Sequence, residues 1–350
     1  MKKITYIIIA LVIFTQALPA AAKREQKITR DKKIHRQYTV SPTDELLINN
    51  VFGDIQVNTW DKDEITVDIT ITAKAPSDEK AEEILDHVSV EEEKTGHRIK
   101  FRSEIQSHYS ISNNNEVKIN YVINMPRKNA IDLTNKFGNV SLGDYTGNLK
   151  LELSFGSFTA NNLTGKDKKI KISFGSGSIP YIETGEIKLE HTNMDIDKAR
   201  DINVECSFGK FSINSADDLD IIQKFGNLEI GSVSRLDANV SNSDMSIDEL
   251  REKGGLMIQF CGRVTIKSVA ASIKSFKVDA SYSSVYAHFE EGANLNINME
   301  IKFGDFKNRT NNIEVVNAKS DNNTKYFKGK IGKGEGILDI TSNFGSVYFK

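Results

Sequence analysis

The first residues to consider for chemistry are the glycines and lysines of residues 329–336, which read GKIGKGEG. Loops that cradle phosphate groups carry the order G-x-x-x-x-G-K-[ST], in which backbone amides and one lysine hold the phosphates. Residues 329–336 lack that order, so they are interpreted as a lysine-bearing turn. They predict no nucleotide or cofactor site.

Metal binding would need carboxylates or imidazoles at a ligating spacing. Asp195, Asp197 and Asp244 lie near turns, but calcium-binding β-rolls repeat a G-G-x-G-x-D nonapeptide that this chain lacks. The six histidines form no pair at i, i+2 or i, i+4; they are His35, His87, His97, His108, His191 and His288. We therefore predict no metal site. His191 falls at an inward position, where a hydrogen-bonded core histidine is a simpler interpretation than a site residue.

Cleavage of a polysaccharide would need paired carboxylates, which β-helix enzymes carry on an outer face. The acidic candidates are Asp217, Asp218, Asp248, Glu249 and Glu252, with Arg251 beside them. Both groups fall in return turns, where charged residues are the expected solvated surface. Neither provides a defensible acid and nucleophile. The sequence therefore predicts no catalytic, cofactor-binding or metal-ligating residue, and it predicts that the protein is not an enzyme.

The N-terminal segment has the pattern of a secretory signal. Lys2 and Lys3 precede an apolar stretch over residues 4–18, and Ala20-Ala21-Ala22 offers small residues for cleavage. We predict a signal peptide over residues 1–22 and a charged, flexible leader over residues 23–37. After cleavage no stable membrane span is expected. The alternative is an uncleaved N-terminal anchor. The formal net charge of −2 does not favour a nucleic-acid partner.

The strongest signal in the chain is a repeated Phe-Gly dipeptide. The chain has 18 Phe and 23 Gly, and the dipeptide occurs at Phe52, Phe137, Phe155, Phe174, Phe208, Phe225, Phe303 and Phe344. Flanking patterns place Asn193, Asn242, Phe260 and Tyr282 at the Phe position of the missing copies. The steps from Phe137 to Phe303 then average close to eighteen residues. Met194, Ser243 and Cys261 accordingly take the Gly position.

Each copy alternates apolar and polar residues on both sides of the dipeptide, as strands with one buried face do. In one copy Leu151 and Leu153 precede Phe155, and Phe158 and Ala160 follow it. Phe155 and Phe158 are three residues apart, so a bend must turn both inward. Glycine suits this bend because it lacks a Cβ and tolerates a positive φ. Copies with Met194, Ser243 or Cys261 at this position show that a positive φ is not required in every coil. Each unit is then two short strands, a glycine corner and a polar return, with the Phe rings stacked in the core.

The resulting fold class is all-β: a single-stranded β-solenoid, like a parallel β-helix, with coils of about eighteen residues. The column model places Cys206 and Cys261 three rungs apart, which is too far for a disulfide, and turns Cys206 inward.

The ends of the chain depart from the repeat. Residues 38–130 are predicted to form an N-terminal cap and the first coil, and residues 77–87 a short helix in that cap with Ser77 as N-cap. Residues 106–115 are expected to form an exposed loop. Repeats fill residues 131–310, and residues 311–350 hold an inserted hairpin or loop and the last coil.

The Phe-Gly repeats, the signal segment and the closing residues 336–350 resemble the bacterial "putative adhesin" family, as does the early segment INNVFGDIQVNTW at residues 48–60. The resemblance covers most of residues 40–350 and implies an exported envelope β-solenoid domain of unknown function. Its motifs are structural, so they identify no ligand. The long insertion at residues 77–116 departs from the family pattern.

The predicted function is a non-enzymatic, exported envelope or surface protein that presents a β-solenoid surface, with adhesion as one form of that role. Its partner would be an envelope protein or an extracellular glycan or matrix. Its location would be the periplasm or the cell surface. One alternative is a periplasmic scaffold or sensor partner of a membrane regulator. Another is a carbohydrate-active β-helix enzyme.

Overall fold

A computed structural model describes residues 27–106, 114–310 and 313–350 of the chain. These residues form an all-β protein with 27 strands and one helix. The predicted signal peptide lies outside the described residues, as do residues 107–113 of the predicted loop.

The N-terminal part contains the helix and seven strands: β1 (Ile28–Thr39), β2 (Glu45–Val51), β3 (Ile55–Trp60), β4 (Glu64–Ala75), α1 (Asp78–Asp86), β5 (Val88–Thr95), β6 (Arg98–Ile105) and β7 (Glu116–Pro126). Strands β1, β4 and β7 pair antiparallel, and β7 joins β3 in parallel. Likewise β5 pairs antiparallel with β6, which lies parallel to β2. Two antiparallel edges thus cover the start of the parallel strands, as the cap prediction requires.

The helix of the cap agrees with its sequence prediction. Ser77 is the N-cap, and its hydroxyl accepts a hydrogen bond from the Lys80 backbone N–H at 3.2 Å. Ala81, Ile84 and Leu85 are buried, so one face of the short helix packs against the sheet.

The flexible leader predicted over residues 23–37 is wrong for its described part. Ile28–Thr39 is strand β1, which pairs with β4 along its whole length. Its charged side chains remain exposed and form ion pairs, among them Arg30 with Asp78 and Arg36 with Glu92. Composition alone suggested disorder, but the backbone of β1 satisfies the open edge of β4.

The remaining strands follow in chain order: β8 (Ala130–Lys136), β9 (Val140–Leu142), β10 (Leu149–Ser154), β11 (Ser157–Ala160), β12 (Asn162–Leu163), β13 (Lys168–Ser173), β14 (Ser176–Glu190), β15 (Asn193–Ser207), β16 (Lys210–Lys224), β17 (Asn227–Ser241), β18 (Asp244–Gln259), β19 (Arg263–Val269), β20 (Ser275–Ser281), β21 (Ser284–Phe289), β22 (Leu295–Lys302), β23 (Phe306–Asn308), β24 (Ile313–Asp321), β25 (Thr324–Ile331), β26 (Gly336–Asn343) and β27 (Val347–Phe349).

The central repeats pair in parallel with a fixed offset. In β14 to β17 each residue lies beside the residue 17 positions later, as Phe211 does beside Leu228. The predicted polar return is wrong for β14 to β18, where it is a third strand segment with its own inward residue, whereas residues 143–148 and 270–274 are turns between strands. In β16, Phe211 and Ile213 point inward, then Ala216, then Leu219 and Ile221. Each repeat of β14 to β18 therefore consists of three strand segments with inward residues around one apolar core.

Of the two predicted reasons for glycine at the corner, the structure supports the missing Cβ and not the positive φ. The positive φ belongs to the preceding aromatic residue, for example 58° at Phe155, whereas no corner glycine has one. A Cβ built on Gly156 would lie 2.0 Å from the carbonyl oxygen of Gly138 in the preceding repeat. Glycine is needed because consecutive backbones approach each other closely at this corner.

The predicted corner residue is wrong in one repeat. Asn242, Phe260 and Tyr282 do occupy the corner position, with φ of 50°, 55° and 51°. Asn193 does not, because His191 occupies it with a φ of 49°. Its successor Thr192, and not Met194, takes the glycine position.

Residues that replace glycine share one contact. The side chains of Thr192, Ser243 and Ser283 donate hydrogen bonds to the carbonyl two residues earlier, at 2.8, 2.8 and 2.9 Å. Cys261 makes the corresponding contact at 3.4 Å.

The last repeat does not lie at the end of the stack. Strand β26 inserts in parallel between β20 and β22, and β27 inserts between β21 and β23. The predicted insertion is a hairpin of β24 and β25, and β25 pairs antiparallel with β22. The hairpin covers the outer edge of β22, which would otherwise be an open parallel edge.

Replacing Gly156 by alanine should destabilise the protein, because the new Cβ must displace the backbone of the preceding repeat. We expect a loss of about 1–3 kcal/mol in the free energy of unfolding, measured by urea denaturation. Gly262→Ala is the matched control, since a Cβ there meets no atom within 4 Å. Equal stability of the two variants would contradict the close approach.

Both cysteines are buried, and Cys206 points inward as predicted. Burial raises the pKa of the Cys206 thiol to about 11, so little reactive thiolate exists at neutral pH. Labelling should be slow in the native protein and should reach two thiols after unfolding without reductant. In a Cys261→Ser variant only Cys206 can react, so the measured labelling rate of the native protein is that of Cys206. If neither thiol reacts after unfolding, the two cysteines form a disulfide, and the register of the repeats is wrong.

Candidate functional site

The aromatic residues at the corners form two runs of stacked rings on either side of Asn242, which we together call the aromatic ladder. Its rings stack nearly parallel, with adjacent centroids 4.6–5.1 Å apart. In spatial order the members are Phe52, Phe137, Phe155, Phe174, His191, Phe208, Phe225, then Phe260, Tyr282, Phe344 and Phe303. The stacking agrees with the sequence prediction, and Phe344 precedes Phe303 because β26 and β27 are inserted.

The ladder lies outside the core, which corrects the prediction of buried rings. Phe155 is 48% exposed and Phe260 is 57% exposed. Alternation would turn Phe155 inward after Leu151 and Leu153, but the left-handed backbone at the corner breaks the alternation. Phe158 then resumes the inward row.

His191 is a member of the ladder and not a core histidine. Its ring lies 4.8 Å from both Phe174 and Phe208, and it is exposed. A strict 17-residue offset from Phe208 and Phe225 points to His191. The pattern of the flanking residues instead predicted Asn193 at the corner position.

Bulky residues rarely adopt a left-handed backbone, which costs roughly 1–2 kcal/mol per residue. Two interactions offset this cost at each corner. The backbone N–H of Phe155 donates to the Ser173 carbonyl of the next repeat at 3.0 Å, and Phe208 donates to Lys224 at 2.9 Å. Ring stacking adds about 0.5–1.5 kcal/mol per pair.

Stacking determines what the ladder offers to a partner. Because neighbouring rings cover each other's faces, the exposed atoms are the ring edges. Ring edges carry the positive side of the aromatic quadrupole and are apolar. The ladder is thus a narrow apolar strip, interrupted at Asn242, where asparagine tolerates the left-handed backbone.

Three of the acidic candidates for catalysis, Asp218, Asp248 and Glu252, take part in ion pairs on another part of the surface. Arg235 pairs with Asp218 and, at 3.4 Å, with Glu252. Asp248 lies 2.7 Å from Lys267. These contacts join neighbouring repeats, so the three carboxylates link adjacent strands through ion pairs on the surface.

Within residues 27–106, 114–310 and 313–350, no group of three His, Cys, Asp or Glu side chains is placed to hold a metal ion. In the same residues the structure has no helix with the length and apolar character of a membrane span. Residues 329–336 form the end of β25 and a turn with positive φ at Gly332 and Gly334.

Substitutions at Phe155 should separate two contributions to the free energy of unfolding: the cost of the left-handed backbone and the gain from ring stacking. Phe155→Asn and Phe155→Ala both remove two ring contacts, but asparagine tolerates the left-handed backbone better. We expect Phe155→Asn to be less destabilised than Phe155→Ala, by several tenths to about 1 kcal/mol, measured by urea denaturation. An alanine variant as stable as the asparagine variant would contradict a left-handed corner.

No family model matches the chain, and no curated protein matches it. Among solved structures, a "putative cell adhesion protein" from Clostridium sporogenes is 10% identical, covers 91% of this chain and 99% of its own, and has a TM-score of 0.19. A "putative adhesin" from Parabacteroides merdae is 10% identical, with 91% and 96% coverage and a TM-score of 0.36. A "putative lipid binding protein" from Parabacteroides distasonis is 12% identical, with the same coverage and a TM-score of 0.30. Similarity at this level assigns no family or activity to the chain.

Proposed function

We propose that the chain is a non-enzymatic, exported interaction protein whose stacked repeats form a β-solenoid and whose aromatic ladder contacts the partner. The solenoid interpretation rests on the parallel pairing of β14 to β18 and on the three inward segments of each repeat. Export rests on the signal pattern of residues 1–22.

The observation that carries the proposal is the exposure of the ladder. About half of the side-chain surface of Phe174, Phe208 and Phe225 remains in solvent. Scattered apolar residues on a surface need no explanation, whereas adjoining exposed rings, seven on one side of Asn242 and four on the other, are typical of an interaction site. A partner that covers the ring edges would bury this remaining area, at about 25 cal/mol per Å² of apolar surface.

The row beside the ladder is polar and rigid. The Asn139 side-chain oxygen accepts hydrogen bonds from the Ser157 backbone N–H at 2.9 Å and from the Ser157 hydroxyl at 2.6 Å. In a later repeat, Asn193 accepts from the Lys210 N–H at 3.1 Å. These bonds hold the corner in one geometry, so the ladder is preorganised for binding. Adhesion to a glycan or matrix is the form of binding that the family resemblance implies.

The test is a pull-down with residues 23–350 from an envelope extract and from a panel of glycans and matrix proteins. The double variant Phe208→Asn/Phe225→Asn shortens the ladder with the residue that occupies the same corner at Asn242. We expect it to lose at least about tenfold in affinity, because two apolar edges leave the contact.

Ile337→Asn is the matched control, because Ile337 is 50% exposed but lies on β26, away from the ladder. Circular dichroism confirms that each variant is folded. Capture of one envelope protein would favour a scaffold or sensor role over adhesion. Equal binding by the wild type and the ladder variant would remove the ladder as the contact surface.

A further inference from the structure

A second surface lies near the C-terminal end of the stack, on the outer face of β19, β21, β27 and β23. Tyr286 and Tyr348 stack here with centroids 4.4 Å apart and an interplanar angle of 4°. The Arg263 guanidinium lies 4.8 Å from the centre of the Tyr286 ring, and the Lys307 ammonium lies 5.5 Å from that of Tyr348. Lys350 adds a third cation, 5.1 Å from Tyr286. We call these five residues the basic tyrosine patch.

The cations of the patch are available for a ligand. Arg263, Lys307 and Lys350 are exposed, and none of them forms an ion pair with a carboxylate of the described residues. The nearby acids have closer partners, although the Lys307 ammonium also contributes to lowering the pKa of Asp305. Asp305 lies 3.0 Å from Lys325, and Asp248 pairs with Lys267.

Glu290, which directly follows β21, also has hydrogen-bond partners of its own. Glu290 accepts hydrogen bonds from the Ser268 hydroxyl at 2.5 Å and from the Ala271 N–H at 3.3 Å. Elsewhere on the stack, cations commonly form ion pairs with a carboxylate of the adjacent repeat. The Lys188 ammonium, for example, lies 3.1 Å from the Glu205 carboxylate. Among the described residues, the three cations of the patch thus outnumber the carboxylates close to them, Asp305 and Asp244, and the patch carries a net positive charge.

We propose that the basic tyrosine patch binds an acidic polysaccharide, a glycan chain that carries carboxylate or sulfate groups. This assignment deepens the proposed role as an interaction protein and rests on that role, but it does not depend on the ladder as a contact surface. The guanidinium and ammonium groups would donate charge-assisted hydrogen bonds to the anionic groups. The tyrosine hydroxyls can donate to and accept from sugar hydroxyls.

The geometry favours a polysaccharide over other polyanions. Strands recur at about 4.8 Å, so Lys307, Tyr348 and Tyr286 form a row on a sheet face that an extended, regularly charged chain can follow. A membrane surface would call for apolar side chains that insert, whereas cations lie over both tyrosines. A DNA duplex carries charge at about 1.7 Å intervals, and three cations would meet few of its phosphates.

Binding of purified residues 23–350 to immobilised glycans tests the proposal. The probes are polygalacturonate, dextran sulfate and neutral dextran, at low and at physiological ionic strength. We expect binding to at least one anionic glycan and none to dextran. Polygalacturonate and dextran sulfate distinguish carboxylate from sulfate recognition.

The variant Arg263→Gln/Lys307→Gln should weaken the binding about tenfold, since two exposed charge contacts are lost. Lys277→Gln is the matched control, because Lys277 is exposed on β20, on a different face at the same end of the stack. Its affinity should stay within about twofold of the wild type.

Three results would overturn the proposal: equal binding to dextran, an equal loss in Lys277→Gln, or tighter binding to anionic phospholipid vesicles or duplex DNA than to either glycan. The ladder variant Phe208→Asn/Phe225→Asn belongs in the same assay. If it alone loses binding, the ladder role stands and the patch is rejected. If only the patch variant loses binding, the patch stands and the ladder role is rejected.

Discussion

The whole architecture depends on one corner, at which the backbone of each repeat touches the backbone of the next. Glycine allows this approach, as at Gly156 against Gly138, and the preceding residue bends the chain with a left-handed backbone. Once the corner is in place, the flanking segments lie in register, and their inward residues meet the same inward residues of the neighbouring repeats. The apolar core is therefore a consequence of the corner geometry, repeated at each step of the stack.

The same corner explains why the most conspicuous surface is aromatic. A left-handed backbone turns the side chain out of the core, and the hydrogen-bonded register sets the distance between successive side chains. Flat rings at that distance stack face to face, which offsets part of the backbone cost. What remains for a partner is a strip of ring edges. A structural requirement and a binding surface can thus occupy the same residues.

Open parallel edges explain both ends of the molecule. At the start, the antiparallel strands β1, β4 and β7 cover one edge, and α1 packs on them. Near the end, the hairpin of β24 and β25 covers β22, and the last repeat fits inside the stack. Covered edges limit the addition of further strands. They leave the lateral faces, where the aromatic ladder and the basic tyrosine patch lie, as the accessible surfaces.

The sequence by itself determined the all-β class, the repeat, the ring stacking, the inward position of Cys206 and the helix that starts at Ser77, because these depend on local spacing and on side-chain type. It could not decide which way the rings face, since alternation predicts an inward Phe155 and only the backbone angle at the corner turns it out. It misplaced His191 because the register is set by hydrogen bonds between strands and not by flanking residues. Strand β1 and the insertion of β26 depend on which edges are open, and the basic tyrosine patch joins residues from four strands. Only the tertiary structure decides such contacts between segments distant in the chain.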